Sequence, residues 1–461
     1  MITVFMQFII TGICCQSRRI LVIPIFVVLL ILMSGTVWAQ LSLKVTDVRQ
    51  RALEFNRTCL SAREEVSKAQ GDISKARSGA LPHINVSTRY SRNLRLAPFF
   101  MERDGEMHEI KIGFKNDFSA SISLRQPLWE GGKVYTAYSI AKQYKKYAEA
   151  KADEIARVVA YNAEILFHTV ILEKARLAVL KQALETYSHN LDVVEKFHSQ
   201  GLVSRFELLR ARVEESNVKP QILAAESGVR LAEKRLKSFL GIDLNEPILL
   251  VEAVDDTSLI NLPSLEQLVD SALSGRSEMK QAKLMTDMRY KAVKVARSGY
   301  FPSLAAVSSY GWQSQSDEFA LDRNTSDSWT AGVTLSIPVF DGGLTSGEVS
   351  RARAEHRQTE LAVEQLKDDI TLEVEQAFDR LLQARKTLDI QGETIAQAEE
   401  GMRIANLRYE AGEGTLLEVL SAQTALTRAR TSLAQATFAF REARANLRKA
   451  TTIDIGTDKI L

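Results

Sequence analysis

Cysteine, proline and aromatic residues are all scarce in this 461-residue chain, which has three Cys, nine Pro and 7% Phe, Trp and Tyr. Cys14 and Cys15 lie before residue 39, so the remainder keeps only Cys59 and can hold neither a disulfide framework nor a cysteine-rich metal site. Charge of one sign is lacking too. Lys and Arg number 59 against 57 Asp and Glu, and the first 39 residues hold two Arg and no acid, which leaves 57 against 57 beyond them. A neutral chain has no basic footprint for nucleic acid and no acidic tail. After Ala39 no run of eighteen apolar residues occurs, which excludes a bundle of membrane-spanning helices. The length would suit about three ordinary domains. Few prolines and aromatics beside 45% apolar residues suit long helices better.

What is present begins with a leader. Arg18 and Arg19 precede the apolar run Ile20–Met33, and Val37-Trp38-Ala39 offers small residues for cleavage before Gln40, so residues 1–39 read as a signal peptide. The rest is written twice. Ala76-Arg77-Ser78-Gly79 recurs as Ala296-Arg297-Ser298-Gly299, and Pro127-Leu128-Trp129-Glu130-Gly131-Gly132 as Pro338-Val339-Phe340-Asp341-Gly342-Gly343. Gly201-Leu202-Val203-Ser204 with Glu207 returns as Gly412-Glu413-Gly414-Thr415 with Glu418. The first pair is 220 residues apart and the other two 211, so the chain divides into a first repeat, 40–250, and a second, 251–461. Each repeat reads helix, Pro, two strands, Pro-x-x-x-Gly-Gly, long helix, capped turn, helix.

The spans Gly132–Gly201 and Gly343–Gly412 each predict one helix about 100 Å long at 1.5 Å per residue. In the second, Val374, Leu381, Leu388, Ile395 and Met402 recur every seven residues, interleaved with Ile370, Ala377, Ala384, Gln391, Ala398 and Ala405, a coiled-coil seam. Ser204-x-x-Glu207 and Thr415-x-x-Glu418 are capping boxes that start the return helices. Pro220 inside the first return helix predicts a kink.

Two hairpins are expected at about 83–127 and 303–338. Ile84, Val86, Thr88 and Tyr90 alternate with polar neighbours, as do Phe118, Ala120, Ile122 and Leu124, and most clearly Trp329, Ala331, Val333, Leu335 and Ile337. Ten-residue strands with one apolar and one small-polar face suit a membrane barrel wall, and Trp129, Trp312 and Trp329 lie in or beside them as an interfacial girdle would. The segments Leu96–Asn116 and Gln313–Ser328 read as polar loops between paired strands. Four strands cannot close a barrel and lipid tolerates no open edge, so two, three or four copies must share one wall. A secreted coiled-coil structural or adaptor protein without a pore is the alternative. No His-Glu-x-x-His, Cys/His cluster or phosphate loop occurs, so neither an enzyme nor a cofactor or metal is expected.

These residues together resemble the TolC family of outer-membrane efflux proteins: the leader, the duplicated helix–strand–strand–helix unit, Pro-x-x-x-Gly-Gly before each long helix, and the turn Tyr409-x-x-Gly412-x-x-Thr415-x-x-Glu418. The resemblance implies a mainly α fold with membrane β-strands: a homotrimeric α-barrel continuous with a shared twelve-stranded β-barrel. It implies a place in the lipid outer membrane of a Gram-negative bacterium, reaching into the periplasm. The expected partners are a periplasmic adaptor (membrane fusion) protein and an inner-membrane pump of RND or ABC type, for efflux or type I secretion. Glu418 matches an acid lining the periplasmic constriction, although it is equally the third residue of a capping box; Ser421 stands where some members place a second acid. Glu207 and Tyr409 match partners in a hydrogen-bonded lock whose basic residue would fall at Gly414. Gly201, Leu202, Val203 and Ser204, with Gly412, Glu413, Gly414 and Thr415, match the tips that an adaptor grips.

Overall fold

A computed structural model of the protein describes residues 41–103, 105–251 and 262–453. The expected signal peptide lies outside the described residues. A short strand β1 (Leu41–Leu43) is followed by α1 (Val45–Phe55) and α2 (Arg57–Ser78), then β2 (His83–Arg92), β3 (Ala97–Arg103), β4 (Glu106–Ile112) and β5 (Asn116–Glu130). Next come α3 (Lys133–Ser199), α4 (Arg205–Phe239), β6 (Ile248–Leu250), α5 (Leu265–Gly275) and α6 (Ser277–Arg297). The chain ends with β7 (Ser303–Ser316), β8 (Thr325–Ser336), α7 (Leu344–Glu410) and α8 (Leu416–Thr451). The fold is mainly α with a small share of strand.

The two Gly-Gly marks and the two capped turns set the long helices: α3 and α7 are each 67 residues. Gly132 and Gly343, at φ of +79° and +89°, turn the chain from strand into helix in a conformation that side chains disfavour. α4 runs unbroken through Pro220. The expected kink is therefore not an interruption; the missing N–H costs one bond while Val218 and Ile222 on either side stay buried.

In the seam of α7, Ile370, Val374, Ala377, Leu381 and Met402 are buried. Equivalent positions build two similar cores. In one, Val48, Ala52, Val159, Ala163 and Leu236 pack together; in the other, Leu268, Ala272, Ile370, Val374 and Leu447. A third core joins the far ends of α3, α4, α7 and α8 through Val194, Ala211, Met402, Leu416 and Val419. Among the described residues α3 alone has an eighteen-residue window apolar and long enough to cross a membrane. Its Val159, Phe167 and Val170 are covered inside the first core, and a third of that window is buried within the chain.

Two helix breaks were not foreseen. α1 and α2 part at Asn56, and α5 and α6 at Arg276, both in extended backbone. Asn56 Oδ1 accepts from Thr58 N–H at 2.9 Å while its amide donates to Phe239 O at 3.0 Å. Arg276 instead donates to Glu373 at 2.5 Å and Glu278 at 2.8 Å. A size exchange accompanies the break: Phe55 faces Gly241 in one half, and Gly275 faces Thr452 in the other. A Cβ on Gly275 would lie 2.7 Å from Thr452 Oγ1. The short parallel pair β1–β6 (Leu41 opposite Ile248) was likewise not foreseen, since three residues carry no readable period.

The four long strands form one antiparallel sheet in the order β2-β5-β7-β8. The register puts Val86, Ile122, Tyr310 and Trp329 in one row across it, and Ser87, Ser121, Gly311 and Ser328 in the next. Rows therefore alternate apolar and small-polar, and the apolar Ile84, Val86, Ile122, Trp329, Val333 and Leu335 are exposed. β2 and β8 each have a single partner among the described residues, so both edges are open. The segment Leu96–Asn116, read as a loop, instead carries the hairpin β3–β4, turned at Gly105 with φ of +81°. Its charged residues masked the β-forming Phe99, Phe100 and Ile112. The other loop is shorter than expected, because β7 runs to Ser316 and β8 starts at Thr325.

Candidate functional site

The ends of α3–α4 and α7–α8 meet at the tip farthest from the sheet. In the first turn Gly201, at φ +73°, ends α3, and Leu202 N–H donates back to Phe197 O at 2.9 Å. His198 Nδ1 lies 3.1 Å from Val203 O and donates as the Nδ1–H tautomer, pinning the return. Ser204 Oγ accepts from Glu207 N–H at 3.3 Å, only one arm of the expected box.

The second turn is tied more fully. Gly412 sits at φ +75°, and Glu413 and Gly414 N–H both donate to Arg408 O at 2.9 Å. Glu418 N–H donates to Thr415 Oγ1 and Thr415 N–H to Glu418 Oε2, each at 3.3 Å, a complete capping box. Arg408 then bridges the turn: Nη2 donates to Glu413 O at 3.1 Å and Nη1 lies 3.7 Å from Glu418 Oε2. Sequence reasoning missed Arg408. The available signal was a basic residue in the last turn of α7 facing an acid in the first turn of α8.

Gly414 is explained by the same turn. A Cβ there would come within 3.0 Å of Tyr409 N and 3.1 Å of Arg408 C, so a basic side chain is sterically disfavoured at the place expected of the lock. Tyr409 is buried, its ring 5.8 Å from that of Phe197, and its hydroxyl has no hydrogen-bond partner among the described residues. Burial first, then the nearby Glu207 carboxylate, push its phenol above the ordinary range. The structure thus brings Glu207 and Tyr409 near one another without a hydrogen bond between them. Glu418 and Ser421 are exposed, one helical turn apart on α8. Gly201, Leu202 and Ser204, with Gly412, Glu413 and Thr415, are exposed at the tips, and Val203 and Gly414 half-buried.

Midway along the helices a charged knot ties the halves together. Glu278 accepts from Arg276 and from Arg157 of α3, each at 2.8 Å, and Arg448 of α8 pairs with Glu164 of α3 at 2.9 Å. Burial would raise the Glu278 carboxyl, but the hydrogen bond from Arg276 and the charge of both arginines outweigh it and hold it at about 2. Among the described residues no group of three or more His, Cys, Asp or Glu could hold a metal ion.

A sheet with two open edges on a wall of paired 67-residue helices, closed at the far end by two capped turns, is matched by the family model for outer membrane efflux proteins over residues 48–242 and 268–452. The chain belongs to that family. The outer membrane efflux protein BepC of Brucella suis biovar 1 (strain 1330) is 23% identical over 88% of this chain and 85% of its own. The outer membrane protein TolC of Vibrio cholerae is 22% identical over 88% and 89%. The CmeC outer membrane channel of Campylobacter jejuni superposes with a TM-score of 0.72 at 21% identity, over 88% of this chain and 85% of that one, which shows the shared fold. Members of the outer membrane efflux family are non-catalytic channels of the outer membrane.

Proposed function

We propose that the protein is a passive exit duct: a homotrimer whose four-stranded sheets close into one twelve-stranded barrel in outer-membrane lipid, continued into the periplasm by its long helices. A periplasmic adaptor grips the tips at Gly201–Ser204 and Gly412–Thr415, and an inner-membrane pump of RND or ABC type supplies the energy for efflux or type I secretion. Glu418, with Ser421 one turn on, lines the constriction, and Glu207 and Tyr409 belong to its gate.

The observation that carries this reading is the sheet. Its apolar rows are exposed and both edges are open, an arrangement that water and lipid each penalise until further strands close it. A non-porous coiled-coil protein would leave those rows in water.

The internal repeat supports closure by copies of the same chain. Within the chain Gly131 abuts the α6–β7 junction so tightly that a Cβ would lie 2.8 Å from Ser298 O and 2.9 Å from Phe301 Cβ. Its counterpart Gly342 has nothing within 4 Å of the same position. The residues that would answer it, Ser78 and Leu81, are the counterparts of Ser298 and Phe301 and flank the open edge β2. Val339 and Phe340 are 93% and 90% exposed, whereas the equivalent Leu128 and Trp129 are 53% and 55%. Joining β8 of one copy to β2 of the next repeats outside the chain the junction that β5 and β7 make within it.

The test is purification from outer membranes in detergent. A heat-labile trimer that conducts ions in planar bilayers is expected; a soluble or non-conducting product would sink the duct.

A further inference from the structure

We infer that Arg408 moderates the charge selectivity of the entrance by compensating Glu418, so that the constriction of this protein is less negative than a bare ring of carboxylates. The inference rests on the reading of the tips as a duct entrance.

The turn holds the two charges in fixed relation. Glu418 Oε2 accepts from Thr415 N–H and Arg408 donates to Glu413 O, so each side chain has an anchor of its own within the turn. Gly414 is packed against the backbone of Arg408 and Tyr409, which fixes the loop between them. The guanidinium then stands 3.7 Å from the carboxylate, with the two side chains 52% and 47% exposed. Such an exposed pair adds little to stability, on the order of 0–1 kcal/mol. Its effect is on the field that a passing ion meets, which depends on net charge within a Debye length of about 8 Å in physiological salt.

The first tip has no such compensation. Phe197 occupies the position equivalent to Arg408, and among the described residues the Glu207 carboxylate makes no ion pair or hydrogen bond. Glu207 is half-buried beside the Tyr409 phenol; of the exposed acids of the second turn, Glu418 carries the arginine, while Glu413 meets it only through its backbone carbonyl. An entrance built this way favours cations less than an uncompensated triple carboxylate does.

Reversal potentials of single channels in a steep KCl gradient test this with the full chain in planar bilayers. Wild type sets the reference potential. Arg408→Gln should raise the cation-to-anion permeability ratio severalfold, Glu418→Gln should lower it, and the double variant should return towards wild type. Arg408→Lys keeps the charge and should keep the wild-type potential, which separates charge from any loosening of the turn. Conducting Arg408→Gln channels with an unchanged reversal potential would overturn the inference and leave the duct intact. Absence of conductance in the folded wild type would overturn both.

Discussion

At the scale of single residues, the two halves solve one packing problem with different side chains. Phe55 against Gly241 and Gly275 against Thr452 fill the same place from opposite sides. Thr452 keeps the left-handed backbone of its glycine counterpart, at φ +61° against +66°. Composition and spacing show the repeat but not this exchange, because it is decided by which of two neighbours gives way. The helix breaks at Asn56 and Arg276 were illegible for a related reason: their partners, Phe239 O and Glu373, are remote in sequence. The charged knot around Arg276 has a measurable consequence. Glu278 has a folded-state pKa of about 2 against an ordinary 4.5. A depressed carboxyl contributes stability that is full above the ordinary value and is lost as pH falls towards the folded one. Thermal unfolding of the protein in detergent should therefore shift to lower temperature between pH 4.5 and about 2. Glu278→Gln should lower the midpoint at neutral pH, where Arg276 and Arg157 lose their counter-charge, and flatten that acid limb. An acid limb unchanged by the substitution would remove Glu278 as its source.

At the scale of elements, most of the helical architecture was legible because its punctuation is chemical. Gly132 and Gly343 open helices whose ends are marked by Gly201 and Gly412. The heptad of α7 announces the face that is buried. The alternation of β8 announces a strand whose apolar face is exposed in a single chain. The hairpin β3–β4 was hidden because charged residues interrupt its pattern, and strand pairing there depends on backbone register more than on side-chain period. The two capping boxes looked alike but differ. Thr415 and Glu418 exchange both bonds, whereas Ser204 accepts one and receives no return from Glu207. Thr415→Ala and Ser204→Ala each remove one hydroxyl acceptor and should each cost about 1 kcal/mol, by the usual worth of an N-cap, whereas Glu418→Ala removes a second bond that Glu207→Ala does not have to lose. Hydrogen exchange of the first turns of α8 and α4 in the Glu418→Ala and Glu207→Ala variants measures the difference, and equal loss of protection would mean that the second arm of the box contributes nothing. Arg408 escaped notice at the tip because its role depends on the turn bringing two helix ends together, which no local pattern states.

At the scale of the whole molecule, the four-stranded sheet ends at two open edges among the described residues. Successive helices pack α2 on α3, α3 on α6 and α6 on α7, and the junction between the halves sits where β5 meets β7. The proposed seam between copies repeats that junction with α7 and β8 on one side and α2 and β2 on the other. Gly342 tests it well, since its φ of +66° is a region that asparagine tolerates better than other side chains. Gly342→Asn has open space within its own chain, so the helical content by circular dichroism should match wild type. Across the seam the same side chain would meet the next copy at the distances at which Gly131 meets Ser298 and Phe301, and the heat-labile trimer should be lost or markedly weakened on semi-native electrophoresis. Gly131→Asn, with Ser298 O 2.8 Å from the new Cβ, should instead damage the fold of each chain before assembly. Wild-type trimer yield from Gly342→Asn would show that neighbouring copies do not meet as the two halves do, and that the barrel closes by another contact.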